Sequence, residues 1–462
     1  MFNQIPSVDE KFFRDRLAAA LEDFPRKIIV LDDDPTGVQT VHGVNVYTDW
    51  TAQDIAAGFA EPNAMFFVLN NSRAFSADKT AAEHKKIAER ICAAAKTFGR
   101  EFIVVSRSDS TLRGHYPLET QTLRNTLEAH GHRIDGEILI PFFKEGGRFT
   151  IGNVHYVRDG DRLIPAGETE FAHDKTFGYT SSNLADYIAE KTHGAFPADG
   201  VTCIGLEELR GGDVDEISAR LNSVTGFGKV VVNAVDYVDV EIFSLALLKS
   251  LAAGKNFLFR TAAAFTKVIG GIADKNFLTR GELIDGTNLN GGLIVVGSHV
   301  QKTTAQLNEL RKLPSVVFIE FDVTNLAAVA DIVRQAEENL SRGLTVTIYT
   351  SRKILNVGDA EGNLAASVNI SAALTDIVRR LNVRPKFLIA KGGITSADIG
   401  TKALGVKRAL VIGQAAAGVP VWKLGAESKF PAMSYVIFPG NVGGVETLRK
   451  IVELLDADET GK

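Results

Sequence analysis

Short apolar runs without polar alternation recur through the first half of the chain: residues 28–31 (Ile-Ile-Val-Leu), 65–69 (Met-Phe-Phe-Val-Leu), 102–105 (Phe-Ile-Val-Val), 138–140 (Ile-Leu-Ile) and 230–232 (Val-Val-Val). Runs of this length, rich in β-branched and aromatic residues, suit strands buried on both faces. Helical patterns lie between them. Over residues 79–98, Ala81, His84, Ile87, Ala88, Ile91 and Ala95 recur at helical spacing. Strand–helix alternation predicts an α/β domain with a mainly parallel sheet. Residues 143–186 break the rhythm with Gly146, Gly147, Gly152 and Gly160 among scattered charges. That stretch reads as a β-rich insertion over the domain's face, either part of a substrate site or a plain surface elaboration.

A second series of runs occupies residues 293–296, 316–321, 344–349, 387–389, 409–412 and 435–438. Residues 279–292 between the two series are rich in turn formers. A chain of 462 residues also exceeds the roughly 250–300 residues that one core usually serves. The reading is therefore an α/β protein of two domains, 1–285 and 286–462, each a mainly parallel sheet flanked by helices. The net charge of -5 argues against a nucleic-acid partner. Cys92 and Cys203 are too few for a disulfide framework or a four-cysteine zinc site and read as small buried residues. No stretch reaches the ~18 apolar residues of a membrane span, and residues 1–25 hold no apolar leader run, so a cytoplasmic protein is expected.

In open parallel sheets ligands bind beyond the C-terminal ends of the strands, so the corners after the apolar runs matter most. The first corner is Asp32, Asp33, Asp34, Pro35, Thr36 and Gly37. Adjacent carboxylates repel one another unless a cation, a donor-rich substrate or backbone amides compensate. One of them suits proton abstraction from a hydroxyl, and another suits Mg²⁺ or sugar hydroxyls. The plainer alternative is a solvated turn with one Asp capping a helix. The second corner runs from Ser106 through Arg107, Ser108, Asp109, Ser110, Thr111 and Arg113 to Gly114. Its arginine forks suit a carboxylate or phosphate, and the neighbouring Asn70, Asn71, Ser72 and Arg73 offer further donors. The third is Lys391, Gly392, Gly393, Ile394, Thr395 and Ser396, where glycines let the backbone approach a phosphate. Gly297 with Ser298, and Gly440 with Gly443 and Gly444, supply two similar corners, which together suggest a nucleotide resting on backbone. No Walker A loop and no metal-ligand spacing of histidines occurs, and no metal ligands are assigned.

These motifs resemble those of the four-carbon acid sugar kinase family across nearly the whole chain. Residues 32–37 stand where that family has Ala-Asp-Asp-Leu-Thr-Gly, so Asp33 and Asp34 match its two acids. Residues 106–114 match its second motif closely, and Glu168 to Asp174 is similar to its Thr-x-Phe-Ala-x-Asp stretch. Gly297 with Ser298, residues 392–395 and residues 440–443 stand in its glycine motifs. Asp32 and Pro35 replace the usual Ala and Leu, and Ile394 replaces an Asp.

The resemblance implies an acid-sugar-binding domain, a nucleotide-binding domain and an active site in the cleft between them. It further implies ATP- and Mg²⁺-dependent phosphorylation of a four-carbon aldonate such as threonate, erythronate or 3-oxo-tetronate. On that basis Arg107 and Arg113 hold the substrate carboxylate. Asp33, Asp34, Asp109 and Ser110 meet its hydroxyls, with Asp34 or Asp109 as the base. Ser298, Gly392, Gly393, Thr395, Gly440 and Gly443 carry the nucleotide. The expected partner is the small acid, with neither nucleic acid nor membrane; a homo-oligomer is compatible with the sequence. The main rival is a haloacid-dehalogenase-like phosphatase, because Asp32, Asp34 and Thr36 also fit Asp-x-Asp-x-Thr, with Asp32 as nucleophile. A non-catalytic sugar-binding protein and a Rossmann dehydrogenase are further alternatives; the latter lacks Gly-x-Gly-x-x-Gly after the first run.

Overall fold

The computed structural model describes residues 5–297, 301–351, 360–440 and 442–457. The chain forms two compact units, Met1–Asp274 and Lys275–Lys462.

The strands of the first unit are β1 (Lys27–Asp32), β2 (Val44–Tyr47), β3 (Met65–Leu69), β4 (Phe102–Arg107), β5 (Gly136–Ile140), β6 (Arg148–Ile151), β7 (Val154–Asp159), β8 (Arg162–Pro165), β9 (Thr202–Ile204), β10 (Gly228–Val232) and β11 (Phe257–Thr261). Its main sheet runs β2-β3-β1-β4-β11-β5-β10-β9. Every neighbouring pair is parallel. Every residue of β1, β3, β5 and β11 is buried, as strands covered on both faces by crossover helices must be. The predicted helix over 79–98 begins at Ala77 and ends at Phe98, because the Ser76 hydroxyl accepts from Lys79 N–H and Gly99 closes the end at φ 58°. Its Thr80, His84, Ile87, Ala88, Ile91 and Ala95 face the sheet. From β1 the chain passes to β2 and β3 on one side, then crosses to β4 on the other. The C-terminal ends of β1 and β4 thus flank a topological switch point, the place where open α/β sheets bind their ligands.

The stretch 143–186 contains the predicted β-rich excursion: β6, β7 and β8 form a small antiparallel sheet. It is pinned to the end of β10 by paired backbone bonds between Thr150 and Ala234 (3.0 and 3.1 Å) and by Asn153 N–H donating to the Asn233 side chain (2.7 Å).

The second unit holds β12 (Leu293–Val296), β13 (Val316–Phe321), β14 (Thr345–Thr350), β15 (Leu388–Lys391), β16 (Arg408–Ala416), β17 (Val419–Leu424) and β18 (Ser434–Phe438). Their order is β13-β14-β12-β15-β18-β17-β16. The first five are parallel and the last two antiparallel. The turn-rich stretch before β12 packs into this unit, with Leu278 N–H donating to Gln414 O at 2.8 Å. β12 leads to β13 and β14 on one side, while β15 lies on the other, so this sheet has its own switch point between β12 and β15. After β15 a helix starts at Gly393 and closes in a π turn, Ile399–Ala403.

Candidate functional site

At the first switch point β1 ends in Asp32, and β4 ends in Arg107 directly across from it. Arg107 Nε donates to Asp32 Oδ1 at 2.7 Å, and its Nη2 reaches the same carboxylate and Asp34 O (2.7 Å). Its Nη1 donates to Ser108 O at 3.2 Å. The pair is sealed: a Cβ on Gly37 would lie 2.1 Å from Arg107 Nε. Two expectations change here. Arg107 is not free to hold a substrate carboxylate; its guanidinium braces the acid corner. Asp32, buried beneath it, is not presented as a nucleophile, which removes the basis of the phosphatase reading.

The next two acids differ from one another. Arg73 grips Asp33 with both prongs, Nε to Oδ2 at 3.1 Å and Nη2 to Oδ1 at 2.8 Å. Burial keeps Asp33 above the usual carboxylate range despite Arg73 and Arg107. Asp34 is more open, at 18% side-chain exposure against 3% for Asp33. Burial pushes it up, but Arg73, Arg107 and the Thr36 N–H (2.8 Å to Oδ1) outweigh that and hold it ionised. Asp109 lies on the far side of Arg73, at 3.8 Å from Nη1. Arg113 Nε donates to it at 2.8 Å, and the Thr111 hydroxyl does so too. Against its burial, Arg73 and Arg113 hold Asp109 well below the usual carboxylate range. A carboxylate so stabilised is a poor base.

The loop that carries Asp109 is held carbonyl by carbonyl. Ser110 O accepts from His155 Nε2 (2.8 Å), Thr111 O from the Tyr179 hydroxyl (2.7 Å), Leu112 O from the Tyr187 hydroxyl (2.8 Å) and Arg113 O from Arg260 Nη2 (3.1 Å). Burial lowers the His155 pKa to about 4. The ring is therefore neutral near pH 7, donating through Nε2 and accepting from the Thr150 hydroxyl at Nδ1 (3.0 Å). Leu112 is at φ 69°, a conformation unfavourable for a side chain with a Cβ, and these four bonds sustain it. Arg260, on β11, also donates to Glu119 Oε2 (3.0 Å), whose Oε1 accepts from Ser72 (2.6 Å). Phe171 and Asp174, from the 168–174 motif, reach Arg113: its guanidinium lies 5.1 Å from the Phe171 ring and 3.8 Å from Asp174.

The first site thus unites Asp33, Asp34, Asp109, Ser110 and Arg113 as the sequence suggests, with Arg107 beneath them. Sequence reasoning missed Arg260, Glu119, His155 and the two tyrosines, and named Arg73 only as a further donor. Arg260 is hidden inside a strand run that its own charge interrupts.

In the second unit the glycine corners of β12, β15 and β18 adjoin. Gly297 N–H donates to Lys391 O (3.3 Å), and Gly392 N–H donates to Phe438 O (2.9 Å). A Cβ on Gly297 would stand 2.2 Å from the Thr395 hydroxyl, and Gly392 sits at φ 122°. Gly440 O accepts from Thr303 (3.2 Å), while Gln306 holds Val442 O and Gly444 O (3.1 and 2.9 Å) around Gly443. Gly392, Gly393, Thr395, Gly440 and Gly443 therefore share one end of the sheet; Ser298 lies outside the described residues. Lys391 is fully buried there, donating to Pro439 O (2.9 Å) above the Phe438 ring. Burial, helped by Lys302, brings its pKa down to about 7. In the unfolded chain it titrates near 10.5, so between about pH 7 and 10.5 unfolding takes up a proton and stability rises with pH. Below about 7 this contribution is lost and the slope vanishes. Lys391→Met should flatten that rise by up to about 1.4 kcal/mol per pH unit, read from urea melts at pH 7 and 9.5.

The family model for sugar-binding N-terminal domains matches residues 28–269, and that for nucleotide-binding C-terminal domains matches residues 293–448. The chain belongs to the four-carbon acid sugar kinase (DUF1537) family. The family's two domains thus coincide with the acid-and-arginine site and the glycine corners. No curated protein matches this chain by sequence. Among solved structures, a Salmonella typhimurium LT2 protein provisionally described as a tRNA synthase has a similar fold, with TM-score 0.67 and 18% identity over 92% of this chain and 98% of that one. A Haemophilus influenzae protein of the DUF1537 family gives TM-score 0.61 and 18% identity over 92% and 100%. Among the described residues no helix is long and apolar enough to cross a membrane.

The acids of the first site do not make a Mg²⁺ cage. Asp32, Asp33 and Asp109 are each tied to an arginine. Among the described residues no group of three or more His, Cys, Asp or Glu is arranged to hold a metal ion. A resident ion does not fit this donor set.

Proposed function

We propose that the chain transfers the γ-phosphoryl group of ATP to a hydroxyl of a small acid sugar, a four-carbon aldonate or its 3-oxo form. The observation that carries this reading is the Asp34–Arg73–Asp109–Arg113 array at the switch point of a sugar-binding domain, in a chain that also has a nucleotide-binding domain. Phosphoryl transfer asks the protein chiefly for positioning, charge neutralisation and an oriented hydroxyl. Asp34 is the base: it is ionised, more open than Asp33 and less tightly engaged than Asp109. Asp109 and Ser110 take the acid's other hydroxyls, with Arg113 holding Asp109 in place. Arg107 and Asp33 hold the corner in shape. Gly392, Gly393, Thr395, Gly440 and Gly443 line the phosphates with backbone.

Consumption of ATP with a panel of aldonic and oxo acids tests the proposal. ADP formation that depends on one of the acids is the expected result. ATP stable against the whole panel, or phosphate released from a phosphoester without ATP, contradicts it.

A further inference from the structure

Among the described residues five arginines surround the first site, and four of them have carboxylate partners. Arg73 has Asp33, Arg107 has Asp32, Arg113 has Asp109 and Asp174, and Arg260 has Glu119. Arg148, the first residue of β6 on the small antiparallel sheet, has none among the described residues. Its Nη1 donates to Gly146 O, and its Nε is buried without any partner. Its guanidinium lies 5.7 Å from the Phe171 ring, the same ring that Arg113 approaches at 5.1 Å. The carboxylate that acts on it electrostatically, Asp109, is already committed to Arg113 and Thr111. An unpaired, largely desolvated guanidinium is costly to keep unless something fills it. Gly147 fixes its approach: it turns the chain at φ 72°, with its N–H on Lys144 O and its carbonyl taken by Arg158 N–H.

We propose that Arg148 binds the carboxylate of the substrate, so that the inserted sheet reads the acid and the β1–β4 corners read its hydroxyls. This rests on the acid-sugar reading above and names the residue that selects an acid over a neutral sugar. A guanidinium fork matches a carboxylate in two parallel bonds. A polyol of the same length leaves the fork unpaired, and a site built for a polar partner discriminates strongly against an analogue that lacks it.

Calorimetric titration of the full chain with threonate, erythronate, 3-oxo-tetronate and the neutral polyol threitol, without nucleotide, tests the assignment. The wild-type chain should bind one of the acids at least about 100-fold more tightly than threitol. Arg148→Gln should lose most of that preference while its melting temperature stays level or rises, because an unpaired buried charge has been removed. Arg148→Lys, which keeps the charge but not the fork, should bind the acid with intermediate affinity. If both variants keep the wild-type preference, or Arg148→Gln melts lower with acid binding intact, the assignment of Arg148 is overturned and the kinase reading stands. If the wild-type chain binds none of the acids, the acid-sugar reading itself fails and takes this inference with it.

Discussion

Asp34→Asn should lower turnover by about 10²–10⁴-fold, the usual contribution of a positioned general base. The substitution is nearly isosteric. Asn keeps an oxygen for the Thr36 N–H, and the bond from Arg107 goes to the Asp34 backbone carbonyl, which is unchanged. The fold is therefore retained, and ADP affinity should match wild type by calorimetry, since the glycine corners belong to the second unit. Asp109→Asn should behave differently. It weakens a carboxylate that orders Arg113 and Thr111, so its main effect should be a higher KM for the acid, with a smaller loss of kcat. The reverse pattern, an inactive Asp109→Asn beside a working Asp34→Asn, would move the base to Asp109.

Arg107→Met should cost about 3–5 kcal/mol of stability, because it strands the Asp32 carboxylate in a buried site without its counter-charge. The double variant Asp32→Leu with Arg107→Met should recover most of that loss, since a buried pair replaced by apolar groups is often close to neutral. Urea melts of the two singles and the double measure the coupling directly. An Arg107→Met chain that melts like wild type and only raises KM for the acid would return Arg107 to the substrate. The steric reason to expect otherwise is Gly37, packed so closely on the pair that a methyl group there would collide with both partners.

Much of the architecture was legible because a strand buried on both faces needs an unbroken apolar run, which is a local property. The strands β1, β3, β4, β5, β10, β12, β15 and β18 announce themselves in this way, whereas β13, at the end of its strand order, carries the exposed Glu320 and β14 alternates threonines with apolar residues. β11 did not, because Arg260 interrupts its run. Nor did β17, where Pro420 and Lys423 fall among its apolar residues in a strand with antiparallel neighbours on both sides. Helix ends moved by a residue or two where caps such as Ser76 decided them.

The amino-acid order by itself determined where the chemistry gathers: acids after β1, the Ser-Arg-x-Asp-Ser-Thr-x-Arg-Gly stretch after β4, and glycines after β12, β15 and β18. These follow from strand ends, which adjacency in the chain fixes. Only the tertiary structure decided what each charged group is free to do. Five arginines look alike in the sequence, but Arg107 is consumed by a carboxylate 75 residues away and Arg260 by one 141 residues away. Arg148, on the small inserted sheet, is left without one among the described residues. Charge pairing and desolvation depend on distance in space, and no spacing along the chain encodes which partner a fold will bring.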